Sequence, residues 1–201
     1  SLSMEKIALN STPLSLAADG TFDQTASRKM LNTQGTLGLD FKLVSDYLQS
    51  IMGPRIKIAG KSKKPFTLKM TSPGNRWSDP LKHTSFSGAF DITAITLFGL
   101  EISPLQIPIQ INNAAADANL IGKANGGDLQ LQPMIDLKKE PFVLSIPKNT
   151  QILTNVQITD LMAKQLLGGL NPIFFGAKGA EGSVDLFMKY FTWPLSKEGR
   201  I

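Results

Sequence analysis

His83 is the only histidine in the 201-residue chain, and there is no cysteine. Those two counts settle most of the chemistry open to it. Ordinary zinc sites draw on several imidazoles and thiolates, and one imidazole leaves no such donor set. A Ser-His-Asp relay could use His83, but no Gly-x-Ser-x-Gly turn is there to hold a serine. His83 stands in "DPLKHTSF", just before a strand pattern, where a surface-loop histidine is the expectation. Residues 53–62, "GPRIKIAGKS", end like a phosphate-binding loop. That loop needs glycine at the position of Arg55. Pro65 then blocks the helix whose amino terminus would hold the phosphate.

The carboxylates Asp40, Asp91, Asp128, Asp136 and Asp185 are isolated along alternating stretches. In Leu39-Asp40-Phe41 and Val184-Asp185-Leu186 the acid faces away from its apolar neighbours. A glycosidase needs two carboxylates converging across a cleft; these five read instead as members of solvated strand faces. Trp77, in "PGNRWSDP", has the loop setting of a sugar-stacking residue, and equally that of a loop anchor. Trp193 follows "FMKYF" and reads as packing. No catalytic residue, metal site or cofactor is expected.

The elements that carry these residues are mostly strands. Hydrophobic residues make up 42% of the chain and charged residues 18%, so it can bury a sizeable core and is not a disordered segment. The net charge is +5, but the lysines and arginines are scattered apart from "KSKK" at Lys61–Lys64. This reads as a solvated basic surface, with no nucleic-acid partner expected. No apolar run reaches the roughly 18–20 residues of a membrane-spanning helix. Both ends read as internal to a longer protein.

Period-two alternation runs through 6–10, 13–19, 36–41, 55–60, 65–70, 85–93, 104–111, 128–137, 142–146 and 182–188. Turn residues separate these stretches, as in "ADGT" at 18–21 and "NGGD" at 125–128. The expected fold is mostly β: a large antiparallel curved sheet, or an open sandwich or groove, of about ten strands with two short amphipathic helices. The helices fall near 43–52, with Leu43, Val44, Tyr47, Leu48 and Ile51 on one face, and near 159–169. In the second, Ile158, Leu161, Met162, Leu166 and Leu170 form the apolar side, Thr159 is the expected N-cap, and Gly168–Gly169 the stop. The chain is expected to form a single β-rich domain over 1–201, with a possible two-lobe repeat at 36–93 and 142–195.

In "PLQIPIQI", Leu105, Ile107, Ile109 and Ile111 share one face, and Leu129 and Leu131 alternate in the same way in "DLQLQ". Pro104 and Pro108 remove ladder donors, which predicts an edge strand or a bulge. Two helices of about ten residues can cover only part of a sheet of about ten strands. The rest of its apolar side needs another sheet, a lipid or a neighbouring domain. These six residues are therefore the expected lining of a lipid-binding surface.

Several longer phrases resemble the AsmA-like proteins of the bacterial envelope. They are "IALNSTPLSLAADGTFD", then "ITLFGLEISPLQIPIQINNAAADANLIGKANGGDLQLQPMIDL", and above all "VQITDLMAKQLLGGLNPIFFGAKGAEGSVDLFMKYFTWPL". The last has the family's order of helix, Asn-Pro, a Gly-x-Val-x-Leu strand and Pro-Leu. The resemblance implies a membrane-anchored parent that projects a β-rich body into the periplasm. It also implies an apolar groove for lipid and a part in outer-membrane biogenesis, with no enzymatic activity. Lipid or membrane, and adjacent domains of the same parent, are the implied partners. Two other readings remain open: a structural module whose sheet edges join neighbouring repeats, and a secreted carbohydrate-binding sandwich with Trp77 at its site.

Overall fold

The computed structural model describes residues 1–73, 80–176, 179 and 181–195. The chain starts with three long antiparallel strands, β1 (Leu2–Asn10), β2 (Leu14–Gln24) and β3 (Arg28–Asp40). Helix α1 (Phe41–Met52) leads to β4 (Ile56–Ala59), and β5 (Lys61–Pro73) returns beside β3. A short 3-10 turn, Pro80–His83, enters β6 (Thr84–Ile92). Small strands follow: β7 (Ala94–Leu97), β8 (Leu100–Ile102), β9 (Leu105–Asn112), β10 (Ala115–Ala118), β11 (Leu120–Ala124), β12 (Gly127–Leu131), β13 (Met134–Asp136) and β14 (Phe142–Ile146). Then come β15 (Thr150–Gln157), the second helix, β16 (Ser183–Met188) and β17 (Phe191–Leu195).

These strands form two open antiparallel sheets. The larger has ten strands in the order β1-β2-β3-β5-β6-β9-β10-β13-β14-β17; the smaller has seven, β16-β15-β12-β11-β8-β7-β4. The architecture is the mostly-β, open arrangement with two short helices that the alternation predicts. The strands are more numerous than the ten periodic stretches because several are too short, or too interrupted, to show a period. One stretch, 128–137, is divided by Pro133: β12 belongs to the small sheet and β13 to the large one. The two segments of the suspected repeat route their helices differently. The helix after β3 leads from the large sheet to the small one, whereas the helix after β15 joins two strands of the small sheet.

Three two-residue hairpins have both central residues at positive φ, the twist that suits a tight antiparallel turn. They are Phe98-Gly99, Asn113-Ala114 and Asn125-Gly126. Asn125 does further work: its side-chain oxygen accepts from the Glu101 backbone N–H at 2.8 Å.

The main core lies between the small sheet and one end of the large one. Leu100, Ile102, Leu105, Ala124, Leu129, Ile152, Leu153, Val156 and Met162 form it. The second helix closes one side. It is an α turn (Asp160–Met162), a π-helical stretch (Ala163–Leu167) and a further α turn (Gly168–Leu170). Thr159 caps it as predicted, accepting from Met162 N–H at 3.2 Å. The helix does not stop at the two glycines; it runs to Leu170 and ends at Asn171. Thr159→Ala should lower stability by about 1 kcal/mol in denaturant titration, the usual cost of a lost N-cap.

The buried faces of both helices are shifted from the expected ones. On α1, Leu43 and Tyr47 are exposed, and Phe41 and Ser45 are buried, with Val44 and Leu48 half-buried. Phe41 meets the Phe90 ring edge-on at 6.0 Å, and this contact at the very start of the helix sets its rotation. On the second helix Leu161 is 45% exposed, while Met162 and Ala163 are fully buried. Leu166 packs on the core. The side chains of Ile51 and Leu170 lie outside the described ones.

Candidate functional site

One register line crosses the whole large sheet. Met4, Gly20, Thr33, Leu68, Phe86, Ile111, Ala116, Ile135, Leu144 and Trp193 stand opposite one another in successive strands, so they share a face. The parallel line through Ala18, Gly35, Phe66, Gly88, Ile109 and Ala118 lies on the same face. Apart from Thr33 these positions are apolar or glycine. The opposite face reads Ser3, Thr21, Asn32, Lys69, Ser85 and Asn112 along its own line.

Ser72 and Thr84 are buried at one end of β5 and β6, and Ala18 and Phe66 in mid-strand, but the fullest cover on the apolar face is at the other end. There Ile92 and Leu105 are buried, α1 seats Phe41 on Phe90, and β11 passes over Leu105. A Cβ added to Gly122 of β11 would sit 3.6 Å from that of Leu105. Away from this end, Phe22, Leu31, Leu68, Met70, Phe86, Ile109 and Ile111 are half-buried. Phe66 and Phe86 stack with centroids 6.1 Å apart. The Phe86 ring lies over Gly88, where a Cβ would meet it at 2.9 Å. At the two edges Leu2, Leu9 and Trp193 are exposed, so Trp193 does not pack as expected.

The six residues singled out in the sequence divide between these two regions. Leu105 and Leu129 are core, and Ile107 and Leu131 pack against that core. Ile109 and Ile111 lie beyond it on the half-covered face. Gln106, Pro108 and Gln110 face the other way and are exposed, as the alternation requires. β9 is not an edge strand: it is central, between β6 and β10. Pro108 is tolerated because β10 ends at Ala118, opposite Ile109. The Pro108 carbonyl accepts from Asn119 N–H at 3.2 Å. Its missing donor points the same way, past the end of the ladder.

The polar candidates have local duties. Asp40 accepts from Lys42 N–H at 3.0 Å as the cap of α1 and pairs with Lys61 at 3.1 Å. Asp91 pairs with Lys64 at 2.8 Å and accepts from Gln106 at 3.2 Å. Asp128 pairs with Lys123. Asp136 and Asp185 accept from the backbone N–H groups of Lys138 and Asn155. His83 is exposed at the end of the 3-10 turn. Among the described residues no three His, Asp or Glu side chains come together as metal ligands would. Trp77 lies outside the described residues.

The Lys42 N–H bond and then Lys61 hold the Asp40 carboxyl below the usual carboxylate range; Lys64 and then Gln106 do the same for Asp91. A carboxyl whose folded pKa is depressed favours the folded state above its unfolded pKa. That contribution is lost as the pH falls through the folded value. Stability should therefore decline on acidification below about pH 4. The decline should be shallower in Asp40→Asn and Asp91→Asn, read from denaturant midpoints across pH. Both groups are exposed, so the change is small.

An open depression of about 780 Å³ lies over β1, β2, β3 and β5. It is lined chiefly from the hydrophilic face, by Asp19, Thr21, Asn32, Gln34, Thr67 and Lys69. Water already satisfies such groups, so this hollow supplies little driving force for a ligand; the uncovered apolar side does.

The fold and this surface define an open two-sheet β protein whose larger sheet is apolar on one side and only partly covered. No family model, curated protein or solved structure matches the chain.

Proposed function

We propose that the chain is a non-enzymatic module that offers the apolar side of its ten-stranded sheet to lipid. In keeping with the resemblance to AsmA-like proteins, its setting is the bacterial periplasm, in a membrane-anchored parent that serves lipid transport or outer-membrane biogenesis. The observation that carries this reading is the register line from Met4 to Trp193, apolar or glycine apart from Thr33, none of whose members is fully buried. Ten strands at a spacing of about 4.8 Å make a strip roughly 45 Å across. One leaflet's acyl chains are about 15 Å long, half the hydrocarbon thickness of a bilayer. Leaving such a strip wet is unfavourable by about 25 cal/mol per Å² of apolar surface, so a physiological cover is required. Lipid fits a cover that must be apolar, continuous and exchangeable.

The second reading is a structural module whose sheet extends into neighbouring β units. The exposed apolar residues at both edges, Leu2, Leu9 and Trp193, favour it. Native mass spectrometry and lipid extraction of protein purified from bacterial cells distinguish the two. Phospholipid carried through purification is the expected result. Lipid-free protein that stays soluble and folded would overturn the lipid reading.

A further inference from the structure

Four strands end the two sheets: β1, β17, β16 and β4. β4 has four residues, β17 contains Pro194, and β16 is tied across an irregular register by Asp185. β1 is nine residues long and contains neither glycine nor proline. It ends the large sheet, yet the apolar face continues onto it. A bulge between Met4 and Ile7 places Leu2, Met4, Ile7 and Leu9 opposite Phe22, Gly20, Ala18 and Leu16, all on that face. Leu2 and Leu9 are 62% and 48% exposed.

We propose that β1 is a self-pairing edge that joins two copies of the chain. The copies meet antiparallel about a two-fold axis normal to the sheet, between Glu5 and Lys6. In this register Leu2 faces Leu9 of the second copy and Met4 faces its Ile7. Glu5 faces Lys6, and each pair occurs twice by symmetry. No other antiparallel register keeps all four apolar residues matched, because the bulge breaks the period between Met4 and Ile7. Bulges usually protect an edge from pairing. Here both copies carry theirs at the axis, so the two irregularities meet each other. The charge pairs select the same register as the apolar pairs, which is why the occupant is a second copy rather than an arbitrary strand. The joined sheet carries its apolar face across the seam.

The inference rests on the edge alone and not on lipid binding. Its test is sedimentation equilibrium on the full chain. The expected result is a monomer–dimer equilibrium that Lys6→Glu or Glu5→Lys weakens about tenfold or more, since each places like charges opposite one another twice. The exchanged variant Glu5→Lys/Lys6→Glu restores the pairs and should return the dimer to within about threefold of the original. Both side chains are exposed, so unchanged far-ultraviolet dichroism is expected throughout. A chain that stays monomeric, a dimer indifferent to Lys6→Glu, or single variants not rescued by the exchange would each overturn the proposal.

Discussion

Leu105→Glu is expected to leave no folded protein, whereas Ile109→Glu, four residues along the same face of the same strand, is expected to fold. Leu105 is 8% exposed and lies beneath β11 within the main core. A carboxylate there has neither water nor a partner, and burying one costs several kcal/mol. Total stability of a domain is about 5–15 kcal/mol. Ile109 stands between Gly88 and Ala118 in register, where small neighbours leave its side chain half-exposed. A glutamate there can keep its carboxylate in water. Its thermal transition should stay cooperative, and phospholipid should no longer accompany it through purification. Unfolding of Ile109→Glu would mean that the face closes on itself, which would leave the structural-module reading ahead.

Gly99→Ala should be strongly damaging for a single-methyl change. Gly99 is the second residue of the Phe98-Gly99 hairpin, at φ +83°, where an L side chain is strained by about 1–2 kcal/mol. The added methyl would also stand 2.5 Å from Met162 N and 2.6 Å from the Leu161 carbonyl carbon. Those are backbone atoms and cannot swing aside as a side chain would. Relief requires the β7–β8 hairpin and the second helix to separate, which uncovers Met162, a fully buried core residue. The two costs together should reach about 3 kcal/mol or more. Urea titration reads this as a lower midpoint with little change in slope. A midpoint within error of the parent's would show that the helix rides freely over the hairpin.

Much of this fold was legible because alternation is a local signal. The Leu105–Ile111 row, the Asn125-Gly126 turn and the Thr159 cap each depend on residues within one element, and each is found where its pattern places it. β15 was not legible. Ile152, Leu153 and Val156 are all buried there, and two register shifts against β16 destroy the period. The first half of β3, "RKMLNTQG", is too polar to read as half-buried, yet long partners on both sides pair all of it. The central place of β9 was hidden because Pro108 is harmful only if its missing donor faces a partner, and the length of β10 decides that. The face of α1 was misread by one step because Phe41 looked like the end of a strand. For the surface, alternation identified which residues share a side. It could not say which are under the second sheet, since β12 and β13 carry one continuous pattern into different sheets.

The route of the chain between those sheets bears on how the protein can come apart. It leaves one sheet for the other after β3, β4, β6, β8, β10, β12, β14 and β16. Neither sheet is therefore a contiguous piece of sequence, and no cut releases one intact. The β14–β17 pairing closes across β15 and β16 of the small sheet, a long-range contact with an entropic cost. The large sheet and the small sheet that packs on it are thus woven together. Slow-exchanging amides in both should therefore open in a single event, so that neither sheet loses its shape while the other stands.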